Sequence, residues 1–299
     1  MRNDRPMTSP PLPARASAGR GMALMCLAAF CFACMDTMGK YLVARLPVIE
    51  VAWARYMASC ILVMALFMPR MGRRLWRTNR LGIQLVRGAL LAASSCCFIL
   101  SLAYLPLAEM VSLTFVAPIV VGLLSGPFLG ERVGRVLWLG IIGGFVGVLI
   151  VMRPGGGVFH WASLLPIAAA FNFGAYQILT RKISTAENPV TSLFYASWVG
   201  AVALSLPLPW VWKTPPDAVT AGLLALMGAV AGVAHYSAIK AVEAAPPSAL
   251  GPYTYTQLIW AIIFGLFLFG QFPDLVTLIG MAVIVGSAMG VGFASARRR

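Results

Sequence analysis

Charge is scarce in this chain. Charged residues fill 11% of its 299 positions, and only nine of them are Asp or Glu. A soluble domain carries about 25%, so this composition cannot clothe a surface that faces water. Histidine is rarer still: His160 and His235 are the two, and neither has metal-ligand spacing with another His or Cys. No H-E-x-x-H and no P-loop lysine motif occurs, so the usual signs of a metallo-hydrolase and of a nucleotide-driven pump are missing. The six cysteines, Cys26, Cys31, Cys34, Cys60, Cys96 and Cys97, all fall inside apolar segments. Cys31-Phe32-Ala33-Cys34 has C-x-x-C spacing but reads as small packing residues in a helix, with a redox or metal pair the lesser alternative. No metal and no cofactor is expected.

What is abundant is apolar. Hydrophobic residues make up 60% of the chain, in long unbroken runs. A membrane barrel would instead show alternation with turns about every ten residues, so the spans are helices. Ten are expected, at roughly 22–44, 49–68, 83–103, 107–129, 135–152, 161–180, 189–208, 219–239, 248–269 and 275–294. Pro, Gly or charge marks the breaks, as at Pro69, Pro106, Gly134, Gly155 to Gly157, Pro215-Pro216, Pro246-Pro247 and Pro273. The first apolar run is too long for a signal peptide's core and reads as an uncleaved span. The Pro- and Arg-rich residues 1–20 read as a disordered tail.

Lys and Arg number 23 and bring the net charge to +14. Nucleic acid would require a basic face, whereas these residues sit between apolar runs, where they set topology. With the N-terminus inside, eighteen lie on the inner side, against Arg45, Arg153 and Lys213 outside. Both termini, including the basic tail 295–299, are therefore expected in the cytoplasm of a bacterial cell with the chain in its inner membrane. The basic loop from Arg70 to Arg80 reads as an anchor on anionic lipid.

The chain also repeats itself. Ala29-Phe30-Cys31-Phe32-Ala33-Cys34-Met35-Asp36 returns 141 residues later as Ala170-Phe171-Asn172-Phe173-Gly174-Ala175-Tyr176-Gln177. Pro47-Val48 returns as Pro189-Val190, and Phe128-Leu129-Gly130-Glu131 as Leu268-Phe269-Gly270-Gln271. Five spans per half force the second half to enter from the opposite face. The expected fold is all-α and integral to the membrane, ten transmembrane helices as two inverted five-helix repeats, with a site near the midplane.

Phe128-Leu129-Gly130-Glu131-Arg132 followed by Gly140, Gly143, Gly144 and Gly147 resembles the EamA branch of the drug/metabolite transporter superfamily. So do Trp53-Ala54-Arg55-Tyr56, Ala103-Tyr104-Leu105-Pro106, and Thr256-Gln257-Leu258-Ile259-Trp260 leading to Phe269-Gly270. The resemblance covers about residues 20 to 295 and implies an EamA unit over 21–153 and a second over 160–294. The halves diverge at Glu131 against Gln271 and Pro118 against Leu258. Glu131, beside Arg132 and Arg135, reads as a cap or ion-pair partner.

Embedded polar groups mark the candidate site, because a charge at mid-membrane costs about 2.5–3.5 kcal/mol on insertion scales. Asp36 lies ~12 Å from the outer end of its span and Arg55 ~9 Å from the outer start of the next. Matching depths predict an Asp36–Arg55 ion pair, with Lys40 one turn from Asp36 on the same face or snorkelling outward. Two readings stand: a pair that locks neighbouring helices, or a cavity charge that meets substrate or a proton. Asn172, Tyr176 and Gln177 occupy the mirror positions in the second half and are cavity candidates, interhelical glue being the alternative. Tyr253, Tyr255 and Gln257 lie ~7–14 Å deep and cannot all face lipid; His235 faces them or packs quietly. Pro118 and Pro252 are candidate hinges. Gly140-x-x-x-Gly144, Gly143-x-x-x-Gly147 and Gly286-x-x-x-Gly290 allow close packing within one chain first and a homodimer contact second.

A secondary transporter fits these features: its partners are a small-molecule substrate and the bilayer, with drive from protons or exchange. The resemblance implies a small amphipathic metabolite, such as an amino-acid derivative or opine-type metallophore. Export is the leading direction, and import of riboflavin or S-adenosylmethionine the alternative. An intramembrane enzyme is remote, since Asp36 is the lone mid-membrane carboxylate. A passive channel is disfavoured by two diverged halves with no ring of like charges.

Overall fold

A computed structural model describes residues 15–129, 135–153, 160–183, 186–245 and 247–296. The expectations for Glu131, Arg132, the glycines at 155–157, Pro246 and the basic residues 297–299 lie outside the described residues. Among the described residues every regular element is helical. The helices are α1 (Arg15–Val43), α2 (Val48–Met71), α3 (Leu81–Leu102), α4 (Leu107–Thr114), α5 (Ala117–Leu129), α6 (Arg135–Met152), α7 (Leu164–Ile183), α8 (Pro189–Ser205), α9 (Leu208–Val211), α10 (Ala218–Ala244), α11 (Pro247–Thr254), α12 (Thr256–Phe269) and α13 (Leu275–Ala296). Helix α1 begins inside the stretch expected to be a disordered tail, because Arg15 to Gly21 continues its helical turn ahead of the apolar run.

Seven helical stretches are long and apolar enough to cross a membrane, and three shorter apolar helices cover 138–152, 189–205 and 275–290. Those three correspond to expected spans five, seven and ten. At 1.5 Å per residue α8 with 17 residues reaches about 26 Å, α6 with 18 about 27 Å and α13 with 22 about 33 Å, against a ~30 Å hydrocarbon core. Large apolar side chains such as Leu139, Ile142, Phe145 and Phe267 stand half or more exposed, as a surface wetted by hydrocarbon requires. Trp161, Trp210, Trp212 and Tyr104 are exposed at helix ends, where amphipathic rings sit at an interface.

Two long rods break in the middle. Between α4 and α5 the N–H groups of Phe115 and Val116 fall back to residues three earlier, Ser112 and Leu113. Pro118, second in α5, supplies the cause: it has no N–H for Thr114 and its ring crowds that carbonyl. Tyr255 breaks the ninth rod, three residues after Pro252 inside α11. Phe115 and Tyr255 are 140 residues apart, and their rings touch with centroids 4.8 Å apart. The breaks thus fall at matching positions of the two halves and meet each other. Helix α12 ends on Gly270, whose φ of +64° only glycine adopts freely.

Helix α1 packs on α10, α11 and α12, while α7 packs on α3, α4 and α5. Helix α2 lies against α8 and α10, and α8 against α2 and α3. Exchanging the halves leaves these pairs unchanged. Other pairs are one-sided: α4 packs on α12 with no comparable packing of α5 on α11, and α1 on α3, α2 on α3 and α5 on α6 likewise have no counterpart of comparable extent among the described residues. Helix α6 pairs with α13 through reciprocal glycines: a Cβ on Gly147 would meet the Gly280 carbonyl at 3.0 Å, and one on Gly280 the Gly147 carbonyl at 3.0 Å. Gly143 also faces α13, through Ser287. Gly286 and Gly290 have nothing within 4 Å, so that part of the expected glycine seam lies off this contact.

Candidate functional site

Asp36 sits two turns before the end of α1 and is 2% exposed. Its Oδ2 accepts a 2.8 Å hydrogen bond from Nε2 of Gln257, the second residue of α12. Position 257 lies just past the Tyr255 break, so the break aims the amide across the molecule at α1. Arg55 on α2 and His235 on α10 complete the setting. The Arg55 charge acts on both Asp36 and His235. His235 packs edge-on against Phe32 of α1, with centroids 5.0 Å apart. Four helices from both halves converge here.

The expected three-way ion pair is corrected. Asp36 and Arg55 stand farther apart than the 4.0 Å of an ion pair, whereas Arg153 and Asp274 form one. Equal depth fixes height but not rotation, and the Asp36 oxygen turns to the amide of α12. Lys40 leaves the group altogether. Its Nζ donates to the carbonyls of Leu102 at 3.3 Å and Leu105 at 2.5 Å, and it lies 5.5 Å from the ring of Phe269. Carbonyls at the end of α3 lack helical partners, and an ammonium one turn beyond Asp36 satisfies them.

The other candidates divide. Asn172 bonds back to the Ala168 carbonyl at 2.9 Å. Tyr176 stacks on Phe173 with centroids 5.8 Å apart. Gln177 is exposed. Tyr255 joins Phe115 at the crossing of the breaks. Tyr253 packs with Met25, Ala241, Ala245 and Leu250 near the start of α1, away from Asp36. Pro118 lies beside its break, and Pro252 stays within α11.

Arg87 was hidden in the sequence. Counted with the inner basic loop, it is in fact the seventh residue of α3 and 1% exposed. Its guanidinium donates to the Ser192 carbonyl and, at 3.2 Å, to Oγ1 of Thr180, and it lies 5.2 Å from the ring of Tyr176. Gln84, one turn earlier, donates to Oγ of Ser192 at 3.0 Å. The signal was available: α3 starts at Leu81, so Arg87 must lie ~9 Å inside it. Two carboxylates also lie at equivalent places. Glu50 near the start of α2 accepts from Lys213 N at 3.0 Å, ahead of α10. Glu187, just before α8, accepts from Asn79 N at 2.8 Å, ahead of α3.

At the far ends of α6 and α13, Arg153 pairs with Asp274. The Arg153 guanidinium, then the Thr277 hydroxyl and N–H, hold the Asp274 carboxyl well below the usual carboxylate range. Asp274 Oδ1 also accepts from Thr277 N at 2.9 Å, capping α13.

An all-helical chain with seven candidate spans and a buried carboxylate held across its two halves is, as a class, a multi-pass membrane protein built to carry solutes. A family model for EamA-like transporters matches residues 19–153 and again 160–293, so the chain belongs to the EamA-like transporter family. It is 29% identical to an S-adenosylmethionine uptake transporter of Rickettsia bellii, over 85% of this chain and 87% of that one. It is likewise 29% identical to a riboflavin transporter of Vibrio cholerae, over 89% and 90%. To the pseudopaline exporter CntI of Pseudomonas aeruginosa it is 27% identical, over 89% and 93%. A crystal structure 18% identical, with a TM-score of 0.64 and covering 95% of this chain and 99% of that one, shares the fold.

Proposed function

We propose that this membrane transporter is a secondary carrier of a small amphipathic metabolite, binding it beside Asp36 and Gln257 by alternating access. The observation that carries the reading is the hydrogen bond from Gln257 of α12 to the buried Asp36 of α1, one helix from each half. A carboxylate in hydrocarbon is costly, and a single amide leaves it acceptor capacity for a substrate donor or a proton.

Chain direction supports ten spans in two inverted repeats. The end of α1 meets the end of α3 through Lys40. Tyr104, just past α3, stacks on His160 and lies near Trp161, which lead into α7. The second half therefore starts on the face where the first helix of the first half ends. Lys and Arg bias makes that face the outer one of a bacterial inner membrane, with both termini inside. Packing of α4 on α12, unmatched by α5 on α11, supports a state sealed outside the breaks and parted inside them, with Phe115 and Tyr255 at the pivot. The divided lining supports Asp36, Gln257 and His235 as substrate contacts, with Gln177 and Tyr255 at the cavity edge, over Asn172, Tyr176 and Tyr253.

Export remains the expected direction, and uptake is the second reading, favoured by the S-adenosylmethionine uptake transporters among the relatives. Comparing metabolites inside and outside cells with and without the protein decides between them. Build-up inside on deletion supports export; loss of entry of an external metabolite supports uptake; no change in any metabolite refutes the carrier.

A further inference from the structure

We propose that Arg55 anchors the carboxylate of the substrate, and that the head group is zwitterionic, its ammonium directed at Asp36. The inference rests on the carrier reading above. Arg55 is the eighth residue of α2, ~10 Å along the span. A guanidinium carries five N–H donors, and at that depth each must find an acceptor or water. Lys40 meets two carbonyls, and Arg87 meets a carbonyl, a hydroxyl and a ring. Arg55 has no hydrogen-bond acceptor among the described residues. Its ring contact is Tyr56, 5.8 Å from the guanidinium carbon, and the Tyr56 hydroxyl is already engaged with Leu91 O and Ser95 Oγ, both at 2.8 Å.

Arg55 is half-buried on a helix that packs against α1, α3 and α10, and its charge is felt by Asp36 on α1, Cys96 on α3 and His235 on α10. It therefore looks into the space shared by both halves rather than into lipid. Opposite charges stand near each other there without pairing, since Asp36 takes Gln257 instead. An anion alone would be drawn by Arg55 and repelled by Asp36. A cation alone would meet the reverse. A head group with both charges gains at both ends, and the planar guanidinium fork matches a carboxylate with two parallel bonds.

The test uses the full chain purified in detergent, with thermal unfolding titrated by S-adenosylmethionine, by its decarboxylated analogue and by riboflavin. The proposal expects wild type to bind the carboxylate-bearing form about tenfold or more tightly than the decarboxylated one. Arg55→Gln should remove that discrimination, and Arg55→Lys, a charge without the fork, should keep part of it. The unfolding curve itself reports whether each variant is folded, and the lysine variant serves if the glutamine variant is not. Unchanged discrimination in Arg55→Gln overturns the proposal, as does no preference for the carboxylate in wild type. Riboflavin binding and transport that Arg55→Gln leaves untouched would overturn the role of Arg55 while leaving the carrier standing.

Discussion

Replacing Gln257 by Leu removes the hydrogen bond that Asp36 accepts at 2.8 Å. Leu nearly conserves volume, so the change isolates the polar contact. Asp36 is 2% exposed, so little water competes with the amide in this state. A hydrogen bond to a charged group is worth about 1.5–3 kcal/mol, but interhelical bonds in membranes reach only about 1.7 kcal/mol at most. We therefore expect a coupling of about 1.5 kcal/mol, roughly a tenfold change in the unfolding equilibrium. The assay is a double-mutant cycle of Asp36→Leu and Gln257→Leu, read by reversible unfolding in mixed micelles. A coupling below about 0.5 kcal/mol would refute the contact as a real tie between the halves. A larger coupling of Asp36 to Arg55 than to Gln257 would contradict the orientation of the carboxylate.

Other outcomes are equally open to measurement. The folded pKa of Asp274 is depressed, so its contribution to stability is present above the unfolded value of about 3.9 and is lost as pH falls below it toward the folded value. Asp274→Asn should flatten the acid limb of the unfolding profile, and an unchanged limb would remove the ion pair from the account. Gly147→Leu should destabilise by about 1–3 kcal/mol, at the upper end because its Cβ meets backbone, whereas Gly286→Leu should leave the melting temperature unchanged. Single cysteines at Arg77 and Lys213, in a background lacking the native six, should react with an impermeant thiol reagent from opposite sides of the membrane. Labelling from one side would break the ten-span topology.

Helix positions were legible because apolar runs and their Pro, Gly and charged breaks report directly on solvent. The interruption of the fourth rod was legible from Pro118, since a missing N–H acts locally. Its counterpart at Tyr255 was less so: Leu258 stands where the first half has proline, and Pro252 leaves the turn around it intact. Asp36 and Gln257 were each readable as polar groups embedded in apolar spans, yet their pairing was not, because it depends on how α1 and α12 are rotated. Depth alone suggested Arg55 instead. Arg87 was lost for a different reason: a cation near a loop looks like a topology signal until the helix start places it inside.

The central claim is that the buried carboxylate of α1 serves transport. It is tested most directly by uptake of radiolabelled S-adenosylmethionine and riboflavin into proteoliposomes holding equal amounts of wild type and Asp36→Asn protein. The account predicts saturable uptake of at least one of them by wild type and its loss in the variant, with the variant still folded. Wild-type uptake by Asp36→Asn, or flux that never saturates, would contradict it.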